Sequence, residues 1–205
     1  LWFLELVGMP AHIIEELREQ IKTRGFTANG VYYGRDGGRN TGDHHTSSGN
    51  SLMNAIVSLF AIWRMDPDVF IKLVKGEQNF CMSIQGDDSG TYMTPEWYEE
   101  YWSDDIWFDV WHKFGFKVRF LKTTYNIYEC DYCSKYFWPV DSHPLGYLLG
   151  PKPGKTLSKL GWCTQPQKNL ARHNRGIALG LLPAVGHVPF LREFVENILR
   201  ITVNE

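Results

Sequence analysis

Between two short runs of strand-forming residues, 80–84 and 90–93, the chain has only Gln85-Gly86-Asp87-Asp88-Ser89 in which to reverse. A parallel connection needs far more residues, so the two runs must pair antiparallel, as a hairpin whose tip carries adjacent carboxylates. Around this hairpin the pattern changes to helical spacing. Pro10 opens a predicted helix over 11–24, with Ile13, Ile14, Leu17 and Ile21 on one face and Gly25 as its stop. Val31-Tyr32-Tyr33 gives a strand signal that runs into a glycine-rich turn over 34–38. A second helix is predicted over 46–65, with Leu52, Ile56, Leu59, Phe60 and Trp63 as its apolar stripe and Asp66-Pro67 closing it. A third, over 95–114, offers Trp97, Tyr101, Trp107 and Trp111 for packing, places its acids before Lys113 as the helix dipole favours, and stops at Gly115. Strands are expected over 116–121 and 125–130, a Pro/Gly-rich boundary over 139–154, and helices over 157–160, 167–181 and 189–201. No internal repeat is visible. This order defines an α+β fold with one small antiparallel sheet, followed from near residue 140 by a mostly helical piece.

Composition bounds what such a fold can do. A chain of 205 residues with 43% hydrophobic content can bury a core and is not a disordered or low-complexity segment. Cys81, Cys130, Cys133 and Cys163 make no disulfide framework in a chain this long and favour a reducing, intracellular setting. No apolar run reaches the roughly 18–20 residues of a membrane span, and residues 1–7 lack the basic flank of a signal peptide. The chain starts with Leu inside an apolar stretch, which suggests a fragment of something longer. A net charge of -2 speaks at first against a nucleic-acid partner. The average conceals a division, however. Residues 96–109 hold six acids and no Lys or Arg, whereas 142–191 hold Lys152, Lys155, Lys159, Lys168, Arg172 and Arg175 and no acid. The basic stretch is either a solvated helical face or a surface that follows an RNA backbone through salt-sensitive contacts.

Paired carboxylates on a tight turn suit Mg²⁺, which is commonly held by one or two carboxylates together with substrate phosphates. Gly86 permits the turn and removes bulk beside a ligand. Asp and Gly are also ordinary turn residues, and what gives them weight lies upstream. Thr41-Gly42-Asp43-His44-His45-Thr46-Ser47-Ser48-Gly49-Asn50 forms a polar loop entering a helix. Thr46 and Asn50, four apart, share a face and can present donors and acceptors to a ribose hydroxyl. A helix cap would explain one or two of these polar residues, not a polar face that continues to Asn50.

Together the two segments resemble motifs B and C of the RNA-dependent RNA polymerases of positive-strand RNA viruses, and the Gly-Asp-x-x-Thr-x-x-Gly-Asn form is most similar to tombusvirus-like and nodavirus-like enzymes. Phe114-Gly115-Phe116-Lys117-Val118, leading to Lys122, resembles motif D. Lys122 is then the first choice for the lysine that protonates the leaving pyrophosphate and Lys117 the second, with an exposed strand lysine as the plain alternative. Residues 128–135 resemble motif E, the hairpin that joins palm to thumb and supports the primer end. The Cys130/Cys133 spacing also fits half of a zinc site, but no second ligand pair follows, so a structural hairpin is the stronger reading.

The resemblance covers residues 31–134, and loosely 151–161. It implies a palm subdomain over 1–138 and the start of a thumb over 139–205. The expected reaction is templated attack of an RNA 3′ hydroxyl on a nucleotide α-phosphate, with two Mg²⁺ ions, or Mn²⁺ in their place. Asp87 and Asp88 are then the catalytic and metal-binding carboxylates and Lys122 the general acid. Gly42, Asp43, Thr46 and Asn50 would bind the nucleotide and select ribose. Ser47, Ser48, Gly49, Cys133, Ser134, Lys152, Lys155 and Lys159 would contact template or RNA. The implied partners are an RNA template and nascent strand, NTPs, and an N-terminal part of the same polyprotein or replicase. The implied setting is the host cytoplasm, in a replication complex tethered to membrane through regions outside this chain. Motif A, Asp-x-x-x-x-Asp, is not found in residues 1–40. Truncation before residue 1 accounts for that, and the chain as given is expected to be incompetent for synthesis. The rival readings are a reverse-transcriptase-like palm, which the Thr46/Asn50 pair disfavours, a non-catalytic RNA-binding or assembly module, and a zinc-binding interaction module.

Overall fold

The computed structural model describes residues 1–37, 46–119, 122–163 and 166–204. Two short helices, α1 (Trp2–Leu6) and α2 (Ala11–Glu19), lead into an antiparallel pair, β1 (Lys22–Phe26) and β2 (Tyr32–Asp36). The helix predicted to reach residue 24 therefore ends early. Gly25 does not stop it but pairs with Tyr33 inside the sheet, and 34–36 continue the strand rather than turning. Cross-strand pairing has overridden the local glycine signal.

α3 (Thr46–Met65) has the predicted bounds, but it buries the other side. Asn54, Val57, Ser58, Ala61 and Ile62 face inward, while Ile56, Phe60 and Trp63 of the predicted stripe are exposed. Small and β-branched side chains at 57, 58 and 61 allow α6 (Asp104–Lys113) to pack closely against α3. The displaced aromatics cover each other instead. Phe60 stacks on Trp63 with centroids 5.5 Å apart and meets Phe114 edge-on at 5.7 Å.

Asp66-Pro67 closes α3 and also starts an unpredicted helix, α4 (Pro67–Val74). Asp66 Oδ1 accepts from the N–H groups of Asp68 and Val69, and Pro sits in the first turn. The hairpin follows as β3 (Phe80–Gln85) and β4 (Asp88–Met93). The single helix predicted over 95–114 is two, α5 (Pro95–Tyr101) and α6. Trp102 is extended and Ser103 caps α6 by accepting from Ile106 N–H. Ser followed by two Asp is a helix start that the acidic run concealed. Gly115, at φ +81°, ends α6: its N–H donates to His112 and that of Phe116 to Trp111.

Val57, Ala61 and Ile62 of α3, Val69, Trp97, Trp107, Val110 and Trp111 form the first core, with Phe80, Met82 and Met93 of the hairpin packed on it. Each buried tryptophan contributes on the order of 2–3 kcal/mol of apolar burial. The hairpin thus stands on a fixed base.

Beyond α6 no strand forms among the described residues of 116–121, and the strand predicted over 125–130 is a 3₁₀ turn, Ile127–Glu129, capped by the Asn126 side chain. A three-stranded sheet then orders β5 (Asp131–Tyr132), β6 (Lys135–Pro139) and β7 (Tyr147–Pro151). β7 falls in the stretch read from sequence as Pro/Gly-rich. Among the described residues the expected single sheet is therefore three separate antiparallel ones. α7 (Pro153–Leu157) starts four residues before the helix predicted there, α8 (Leu170–Val185) runs through Pro183, and α9 (Pro189–Ile201) has its predicted bounds. A second core joins Ala178, Val185, Val188, Leu191 and Val195 to Trp138 and Leu157. Among the described residues no helix is long and apolar enough to cross a membrane.

Candidate active site

Gln85 pairs with Asp88, so Gly86 and Asp87 are the two central residues of the β3–β4 turn. Gly86 has φ +66° and Asp87 does not share that sign, as in a type II′ turn with glycine first. The aspartates therefore differ: Asp87 is at the tip and Asp88 opens β4. Both are exposed. Among the described residues neither carboxylate is engaged in a hydrogen bond or ion pair.

A two-residue turn leaves the N–H and carbonyl groups of both Gly86 and Asp87 outside the strand ladder. α3 supplies partners for three of these four groups. Gly86 N–H donates to Ser51 Oγ at 2.8 Å, and Asn54 Nδ2 donates to both carbonyls at 3.3 Å. Behind them the buried Ser58 hydroxyl donates to Asn54 Oδ1 at 3.2 Å, and Ser51 Oγ donates to Ser47 O at 2.7 Å. Sequence reading missed Ser51 and Asn54. The signal was the helical spacing of small polar residues at 47, 51, 54 and 58, which carries the polar start of the helix into its apolar half.

The predicted nucleotide and template residues Thr46, Ser47, Ser48, Gly49 and Asn50 form the start of α3. Asn50 lies one helical turn before Asn54 on the same face, and Thr46 one turn before that. The acidic turn is thus fastened, through Ser51 and Asn54, to the helix that carries them. Gly42 and Asp43 lie outside the described residues.

The β5–β6 hairpin is brought there as well. Its turn residues, Cys133 and Ser134, both have positive φ, 51° and 60°, and Cys133 Sγ donates to Gln85 Oε1 at 3.3 Å. Lys155 Nζ donates to Ser134 Oγ at 2.8 Å. Within the β3–β4 hairpin the Ser83 and Tyr92 hydroxyls are 3.1 Å apart, Tyr132 of β5 lies against them, and burial pushes the Tyr92 and Tyr132 phenols above their ordinary range. Lys152 is ion-paired with Asp131 and lies 4.9 Å from the centre of the Tyr136 ring. Lys159 is exposed beyond α7. The basic stretch is not uniform, because Arg175 is turned inward and donates to Leu199 O at 2.9 Å and Thr202 O at 3.1 Å.

Lys122 is not brought to the acidic turn by its described contacts. It is ion-paired with Glu129, and its ammonium holds the Glu129 carboxyl below the ordinary carboxylate range. The two hairpin cysteines serve different acceptors: Cys130 Sγ faces Asn126 O and Cys133 faces Gln85. Burial raises the Cys130 thiol above its ordinary range.

As ligands, Asp87 and Asp88 fit a hard divalent cation. They offer unengaged carboxylate oxygens on a braced turn, and Mg²⁺ takes one or two carboxylates alongside substrate phosphates. No group of three or more His, Cys, Asp or Glu occurs among the described residues, so a cation here would need ligands from elsewhere.

Adjacent carboxylates on a braced turn can supply part of the ligand set of a divalent cation. Among known families, the viral RNA-dependent RNA polymerase family matches residues 3–203. The chain therefore belongs to that family, over a span that takes in the first hairpin and the α8–α9 pair as well as the region carrying the motifs. No curated protein gave a match.

Proposed function

We propose that this chain carries the palm, over 1–138, and the start of the thumb, over 139–205, of a polymerase that copies RNA from NTPs, of a tombusvirus-like or nodavirus-like type. The observation that carries the reading is the Asp87–Asp88 turn fastened to the helix that bears Thr46 and Asn50. In the reaction the RNA 3′ oxygen bonds to the nucleotide α-phosphorus, the bond to pyrophosphate breaks, and the 3′ hydroxyl proton is lost. Asp87 and Asp88 would hold Mg²⁺, or Mn²⁺, which when bound supplies charge stabilisation for the attacking and leaving oxygens. Thr46 and Asn50, with Gly42 and Asp43, bind the nucleotide at its ribose. A site built to pair a 2′ hydroxyl rejects a nucleotide without one. Lys122 donates a proton to pyrophosphate once it is released from Glu129. Ser47, Ser48, Gly49, Cys133, Ser134, Lys152, Lys155 and Lys159 line the path of template and product. The working setting is a membrane-associated replication complex in the host cytoplasm.

In the complete polymerase, Asp87→Ala lowers templated NTP incorporation by about a thousandfold or more while leaving the melting temperature unchanged. Incorporation by that variant near the wild-type rate would falsify the assignment. Preference for NTP over dNTP, lost in Asn50→Ala, tests the ribose reading.

A further inference from the structure

We propose that Ser51 and Asn54 are positioning residues that fix the backbone of the acidic turn and thereby set its affinity for the divalent cation; this rests on the reading of Asp87 as a metal ligand. A hairpin tip normally satisfies its spare backbone groups with water. Here one N–H and two carbonyls are taken by side chains spaced three apart on a single helix. Asn54 is only 5% exposed and cannot turn to solvent. Its amide orientation is set from behind, because Oδ1 accepts from Ser58, itself fully buried, which leaves Nδ2 facing the turn. Movement of the turn would strand those donors in a buried setting. The brace acts on backbone atoms on both sides of the Asp87 Cα, so it fixes the direction in which the carboxylate leaves the chain. Both residues are also on α3, the helix whose first turns carry Thr46 and Asn50, so cation site and nucleotide site share one support.

The test uses Ser51→Ala, Ser51→Thr and Asn54→Leu in the complete polymerase. Three quantities are measured: Mn²⁺ binding by electron paramagnetic resonance without nucleotide, the Mg²⁺ concentration for half-maximal rate, and hydrogen exchange at the Gly86 amide. Ser51→Ala and Asn54→Leu are expected to weaken Mn²⁺ binding and raise the Mg²⁺ requirement by about 10-fold or more. The NTP KM at saturating Mg²⁺ stays near wild type, and Ser51→Thr, which keeps the hydroxyl, restores both values. Ser51→Ala should also speed exchange at Gly86. Unchanged Mn²⁺ affinity in Ser51→Ala with accelerated exchange at Gly86 overturns the proposal. So does a fall in melting temperature with unchanged cation dependence and no rescue by Thr. Asp87→Asn is the control: if it binds Mn²⁺ like wild type, the metal-ligand reading has failed, while Gly86 exchange still reports whether the brace exists.

Discussion

The two hairpin turns that meet at Gln85 and Cys133 solve the same geometric problem in opposite ways. The β3–β4 turn uses Gly86 for its positive φ and has its backbone held from outside by Ser51 and Asn54. The β5–β6 turn places two non-glycine residues, Cys133 and Ser134, at positive φ. Such residues each cost about 1–2 kcal/mol relative to glycine. In return both keep side chains that make contacts, Cys133 to Gln85 and Ser134 to Lys155. Where the functional atoms belong to the next residue, glycine and an external brace suffice. Where the turn's own side chains do the contacting, strain is retained.

The largest effect should come from removing the glycine. Gly86→Ala meets no atom within 4 Å, so its cost is conformational alone. It is expected to destabilise by about 1–2 kcal/mol, read from denaturant midpoints, and to depress NTP incorporation because Asp87 follows directly. A neutral effect on both would break the comparison. The reverse exchange is next in size. Cys133→Asn with Ser134→Gly installs the preferred type I′ pair and should stabilise by about 1 kcal/mol net of glycine's unfolded-state entropy, while RNA affinity falls in filter-binding titrations. A loss of stability would mean that the two side-chain contacts outweigh the strain. The smallest effect concerns the seam between the hairpins. Burial raises the Tyr92 pKa, so its contribution is fully present below the unfolded value near 10 and is lost as pH rises through the higher folded value. Tyr92→Phe should cost less than about 1 kcal/mol at neutral pH and remove that alkaline loss, measured as melting temperature against pH.

The hairpin over 80–93 was legible because five residues between two strand-forming runs admit one solution, and α3 was bounded by local signals at both ends. The resemblance rested on segments of the same local kind. What escaped was decided by partners. Periodicity chose the large residues Ile56, Phe60 and Trp63 as the buried face, but the close approach of α6 selects the small ones at 57, 58 and 61. β7 has no signal apart from the strand it joins. Ser51 and Asn54 read as helix polarity until the turn they bind is opposite them. Lys122 stands out in the sequence by position, but its pairing with Glu129, seven residues on, is a contact that position does not show.

The buried face of α3 is also a mechanical linkage. Val57, Ala61 and Ile62 set the helix's depth and rotation against α6, and the same rigid rod ends in Thr46 and Asn50 and leans on the aspartate turn. On the function proposed above, a methyl group added or removed in that apolar layer would shift both supports in concert, so the cation and nucleotide sites are open to adjustment by substitutions that touch neither.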